Sequence, residues 1–182
     1  EASSFIHAQA KEESESPRPL AFDAGASWPF DGSQFDVVLM LDLLEHVPDD
    51  AKCLKEARRV LKPRGVVIFT VPVHPSLYSA WDRMAGHQRR YTMRTLREVV
   101  AAATLRRERV TYWNAISLLP AIVIRGKERW LPPKKVRAEF PEVPEWLNAL
   151  LKAAGSLEIR WMTLLPLPVG LSVAGILRKD EA

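Results

Sequence analysis

An α/β layered domain, a sheet with helices on both faces, is the fold class this chain predicts, and three observations predict it. Two apolar runs without polar alternation, "VVLML" at 37–41 and "VVIFTV" at 66–71, read as strands buried on both sides, as in parallel sheets under helices. A segment of helical periodicity separates them, and strand, helix, strand, helix, strand continues through residue 113. A chain of 182 residues, 47% hydrophobic and 26% charged, has the size and balance of one ordinary globular domain. We divide it into a core over 17–114, a helical cover and linker over 115–160, and a last strand region over 161–179.

Each element has a local reason. Residues 1–16 have the composition of a short helix, which "SPRP" at 16–19 ends, because proline disfavours helix in the residue before it. A brief apolar run at 20–22 leads into "DAGASWPFDGSQ", loop chemistry throughout. After the first strand, Asp49 or Asp50 caps a helix whose apolar positions Cys53, Leu54, Ala57, Val60 and Leu61 recur at helical spacing. "KPRG" at 62–65 turns the chain into the second strand. Residues 74–91 form an irregular stretch dense in aromatics and charge, longer than a connector needs. Thr92 caps a helix to Ala103, 107–113 make a strand, and 115–130 an amphipathic helix with a basic end. Proline and lysine mark 132–144 as a linker, 145–157 as a helix and 169–177 as a last strand.

Composition excludes several functions. The net charge is +4, from 26 Lys and Arg against 22 Asp and Glu, and the basic residues are scattered without an aromatic-rich signature, which speaks against nucleic acid as partner. The single Cys53 excludes an internal disulfide framework and fits a reducing, cytoplasmic compartment. The polar, acidic residues 1–16 are no secretory signal. The run at 161–177 approaches spanning length, yet Pro166, Pro168, Gly170 and Gly175 break it. No metal ligands are assigned.

Ligands of open α/β sheets bind at the carboxyl ends of strands, and Asp42, Glu45 and His46 follow the end of the first one. There the chain becomes recognisable. "FDAGASWPFDGSQFDVVLMLDLLEHVPDDAKCLKEARRVLKPRGVVIFTVP", residues 22–72, resembles the second half of a class I S-adenosylmethionine-dependent methyltransferase of the small-molecule type, a Rossmann-like fold. The resemblance implies that Asp23 accepts the adenine amino group and Ala24 offers a backbone N–H to the ring. It places the backbone of Leu41 and Asp42 under the methionine and sulfonium end, with His46 bordering that pocket. Read from the residues alone, Asp23 turns a glycine-containing loop and His46 packs at a helix start. The superfamily's Gly-rich loop and the acid that holds the ribose precede the matched segment and have no counterpart before Asp23. With the N-terminal strands missing, Val37 to Leu41 would be left as an apolar edge, for a second copy of the chain to cover.

A second stretch, "SLYSAWDRMAGHQRRYTMRTL" at 76–96, is similar to a segment of bacterial methyltransferases whose tail carries a pattern like "LPVGLSVAGILRK" here at 167–179. It implies the acceptor side. Transfer from a sulfonium is an in-line displacement in which a base is needed only where the acceptor loses a proton. His87 and Tyr91 are the catalytic candidates, and His74, Arg89 and Arg90 the substrate-binding ones, the arginine forks suiting an acidic group. The alternative is that His87 and Arg90 knit the loop to the sheet. The helix over 115–130 reads as packed, a lid over an apolar acceptor or a surface resting on anionic lipid. The expected function is methyl transfer from S-adenosylmethionine, with S-adenosylhomocysteine as product, to a small or lipid-linked acceptor. A non-catalytic module of the same fold, acting as a scaffold, is the alternative.

Overall fold

The structure, a computed structural model, describes residues 20–130 and 143–181; the helix expected over 1–16 and most of the 132–144 linker lie outside the described residues. The elements run β1 (Phe35–Leu41), α1 (Asp50–Val60), β2 (Leu61–Pro72), a 3₁₀ turn (Pro75–Leu77), α2 (Ala80–Met84), α3 (Met93–Ala102), β3 (Arg106–Trp113), α4 (Leu118–Trp130), α5 (Glu145–Leu164) and β4 (Ser172–Arg178). The sheet order is β1-β2-β4-β3.

β1 pairs with β2 in parallel, Val38 opposite Val67 and Met40 opposite Phe69. β4 inserts antiparallel between β2 and β3. Consequently β1, β2 and β3 all run the same way and their carboxyl ends share one edge of the sheet. One or two residues past each end stands a non-glycine residue in the left-handed region, Asp42 (φ 48°), His74 (φ 62°) and Asn114 (φ 61°). Such backbone is uncommon and concentrates at functional sites.

The core explains why these segments take these forms. Val67, Phe69 and Val71 of β2, with Val173 and Leu177 of β4, join Cys53, Leu54, Ala57 and Val60 of α1 and Leu96 and Val100 of α3 in one buried cluster. Asp49 caps α1, its carboxylate accepting from the Lys52 N–H, and Thr92 caps α3 through the Thr95 N–H, as their side chains predict. Gly175 is required by packing: a β-carbon there would sit 2.7 Å from Phe69 Cε1 and 2.9 Å from the Arg109 carbonyl oxygen.

Several expectations are corrected. β1 was expected to be covered on both faces; Met40 is buried, while Val37, Leu39 and Leu41, which point to the other face, are exposed by 47%, 57% and 57%, and among the described residues β1 is an edge of the sheet. "KPRG" is no separate turn but the start of β2. The irregular stretch contains the 3₁₀ turn and α2. The last helix continues past residue 157 to Leu164, taking up residues assigned to the last strand region, and β4 begins only at Ser172.

Candidate functional site

At the carboxyl edge two segments are sewn together. The loop after β1, residues 42–49, meets the segment 86–91. The Gln88 N–H donates to the Glu45 carbonyl at 2.7 Å, its side-chain amide donates to the His46 carbonyl at 2.7 Å, and Arg89 donates to the Pro48 carbonyl at 2.7 Å. This seam brings the His46 and His87 rings edge to face, centroids 4.7 Å apart. Asp42 sits at the rim, exposed, its N–H and carboxylate both bonded to the Thr70 hydroxyl at 2.9 and 3.0 Å.

Asp82 organises the segment from Ser79 to Arg90. Only 1% exposed, it accepts from the Ser79 N–H (2.8 Å), His87 Nδ1 (3.1 Å), Arg90 Nε (2.8 Å) and, more weakly, Arg125 of α4 (3.4 Å). Burial alone would raise its carboxyl, but the hydrogen bonds from His87 and Arg90 and the Arg90 charge hold it well below the usual carboxylate range. With Nδ1 fixed by a carboxylate, His87 presents Nε2, the arrangement by which a carboxylate orients a working imidazole.

Glu45 is the residue that sequence reasoning left without a role. It is fully buried and neither carboxylate oxygen has a hydrogen-bond partner. Burial, with the Asp42 charge adding to it, pushes its carboxyl up to about 7. Burial and the neighbouring His87 likewise hold the His46 imidazole below its ordinary value. The signal was legible only as position, an acid just past a strand end; its isolation comes from the fold. Asp82 was also missed, since nothing local separates it from any acid near a helix start.

The expected residues divide. Asp23, Leu41 and Asp42 are exposed. One Asp23 oxygen accepts from the Gly25 N–H at 2.8 Å, so the loop-turning role is real and the other oxygen stays free of it. That loop adjoins the site, a β-carbon at Gly25 lying 3.8 Å from Pro48. Ala24 is corrected: it is wholly covered, with its carbonyl taken by the Trp28 indole, and as placed offers no surface to a cofactor. Tyr91 is also corrected as a base. It is 2% exposed, its hydroxyl donates to Asp50 at 2.7 Å, and burial together with that bond pushes its phenol well above its ordinary range. Arg90, at 8% exposure, is spent on Asp82 and the Val73 carbonyl and cannot also receive an acceptor's acid. Arg89 pairs with Asp50 at 3.0 Å yet stays a third exposed, with the side chain 32% accessible. His74 bonds the Gly170 carbonyl at 2.9 Å and stacks on Tyr112, a packing role. The basic end expected of α4 is altered too, because Arg125 turns inward to the Leu77 carbonyl and Asp82. Among the described residues no helix is long and apolar enough to cross a membrane.

Comparison with known proteins agrees with this architecture. Residues 2–69 match the family described as a methyltransferase domain. The ubiquinone biosynthesis O-methyltransferase of Pseudomonas syringae pv. tomato is 46% identical over 46 residues, covering 25% of this chain and 20% of that protein. The chain thus spans about a fifth of the length of the curated relatives it matches. Among solved structures, a chain of the complex between the Haloferax volcanii Trm112 methyltransferase activator and a methyltransferase superposes with a TM-score of 0.53 at 16% identity. It covers 89% of this chain and 61% of that one. Phosphoethanolamine N-methyltransferase 2 of Haemonchus contortus, solved with S-adenosyl-L-methionine, gives 0.51 at 15% identity, covering 87% and 36%. At such identities the structures establish the fold.

Proposed function

We propose that this chain, a class I S-adenosylmethionine-dependent methyltransferase by its fold and its matched segment, is part of an enzyme that methylates an oxygen of a small, largely apolar acceptor. The observation that carries this reading is the convergence of three strand ends on one edge, with His87 set against Glu45 and His46 of the loop that follows β1. The O-methyltransferase relative supports oxygen as the methylated atom.

The residues present fit the cofactor in type: Asp23 keeps an oxygen for the adenine amino group, and the exposed Leu41 and Asp42 supply carbonyl and carboxylate rather than cations near a sulfonium. Bound there, S-adenosylmethionine supplies an electrophilic methyl group. His87 Nε2, oriented by Asp82, takes the acceptor's hydroxyl proton as the oxygen attacks. Arg89 stands at the rim, where a polar substituent of the acceptor would meet it. Exposed apolar residues of α4, Leu119, Ile122 and Val123, are suited to an apolar or lipid-linked acceptor.

The test is calorimetric titration of the polypeptide with S-adenosylmethionine and S-adenosylhomocysteine. Micromolar binding, weakened roughly 10-fold by Asp23→Ala through the loss of one charge-assisted hydrogen bond, is expected. A folded chain that binds neither compound overturns the assignment and leaves the scaffold alternative.

A further inference from the structure

Three side chains with metal-ligand chemistry converge where the two sewn segments meet. One carboxylate oxygen of Glu45 and one ring nitrogen each of His46 and His87 lie within 4.8 Å of one another. We propose that Glu45, His46 and His87 bind a divalent first-row transition-metal ion, with coordination positions left open toward the acceptor. That the open positions serve the acceptor rests on the methyltransferase reading; the binding of the ion does not.

The first argument is Glu45. A carboxylate with both oxygens buried and unpartnered is one of the costliest groups a protein can hold. Protonation removes the charge but leaves a hydroxyl donor and a carbonyl acceptor still unmatched. A cation on the carboxylate resolves the charge and supplies the missing partner together. The second argument is the outer shell. Asp82 holds His87 Nδ1 at 3.1 Å, which leaves Nε2 as the atom His87 can offer. Carboxylate, histidine and metal in series is the usual way a ligating imidazole is fixed in tautomer and direction.

The site is also held from behind. Gln88 bonds the carbonyls of both Glu45 and His46, so the ligand-bearing backbone is tied on two sides. An ion with bonds of about 2.1 Å separates its ligand atoms by roughly 3.0 to 3.5 Å. From a spread within 4.8 Å, that is a closure of less than about 2 Å. Two imidazoles and one carboxylate suit zinc, cobalt, nickel or iron, whereas calcium and magnesium prefer oxygen sets. With the ion bound, His87 would be a ligand and its role as base would belong to the ion-free chain; the ion would instead lower the pKa of an acceptor hydroxyl, whose proton would pass to solvent. The sequence assigned no metal because an adjacent Glu-His pair and a distant histidine match no recognised ligand spacing.

The untagged polypeptide, freed of metal with a chelator, is titrated with Zn²⁺ and Co²⁺ by calorimetry, and the Co²⁺ form is followed by its visible absorption. We expect one ion per chain with a micromolar or tighter Kd and a ligand-field spectrum. Glu45→Gln, His46→Gln and His87→Gln should each weaken binding by at least about 10-fold, while His74→Gln binds as the unmodified chain does. Circular dichroism checks that each variant is folded, and His46→Gln carries the test if Glu45→Gln is not. Absence of saturable binding by the folded unmodified chain, or affinity unchanged in both Glu45→Gln and His46→Gln, overturns the proposal. S-adenosylmethionine is titrated separately: ion binding without cofactor binding keeps this site and removes the methyltransferase reading, and cofactor binding without ion binding does the reverse.

Discussion

Replacing Asp82 with Asn removes one charge and almost no volume from a densely connected polar position among the described residues. Asp82 is 1% exposed and faces Arg90, whose side chain is 3% exposed, at 2.8 Å. Arg125 lies 3.4 Å away. In the variant both guanidinium groups lose their counter-charge while staying buried or half-buried. Breaking a buried pair by removing one partner costs about 3–5 kcal/mol, because the remaining charge is uncompensated. For a chain of this size each kcal/mol lowers Tm by about 2–4 °C, so the expected drop is about 6–20 °C. The assay is urea unfolding followed by far-UV circular dichroism, with chelator present throughout. Its pH dependence is diagnostic. The folded Asp82 carboxyl is depressed, so its stabilisation is complete above the unfolded value of about 3.9 and is lost as pH falls from there through the lower folded value. The gap between the two proteins should therefore be constant from pH 8 to about 5 and narrow only in acid. A loss below about 1 kcal/mol, or a gap that closes between pH 6 and 8 as a histidine would dictate, refutes the reasoning. Arg94→Ala is the control: its exposed pair with Glu98 should contribute less than about 0.5 kcal/mol.

Two further outcomes follow from the packing. Tyr91→Phe deletes the hydroxyl that bonds Asp50 and the Leu44 carbonyl, and should cost about 1–3 kcal/mol in the same unfolding assay while leaving the proposed methyl transfer by the folded chain unchanged; a large fall in its kcat without a stability loss would restore Tyr91 as a base. Gly175→Ala drives a methyl group against the Phe69 ring and the Arg109 carbonyl and should destabilise by about 1–3 kcal/mol, measured as a lower Tm; a neutral result would mean that β4 does not lie against Phe69 in this register.

The sequence by itself determined the elements whose reasons are local. Caps at Asp49 and Thr92, helical spacing from Cys53 to Val60, and the uninterrupted apolar run of β2 depend on neighbours along the chain, and they stand where they were expected. The placing of Asp42, Glu45 and His46 just beyond a strand end was legible for the same reason. Only tertiary structure decided what those side chains do. Tyr91 and Arg90 look like chemistry in "GHQRRYT", but Tyr91 is drawn onto Asp50 and Arg90 onto Asp82, so both are consumed by partners that local spacing does not reveal. Glu45 shows the reverse: it looks like any surface acid until the 86–91 segment packs against its loop and its oxygens are buried with no protein hydrogen-bond partner. Burial and long-range pairing set the availability and protonation of a side chain, and both are properties of the assembled fold.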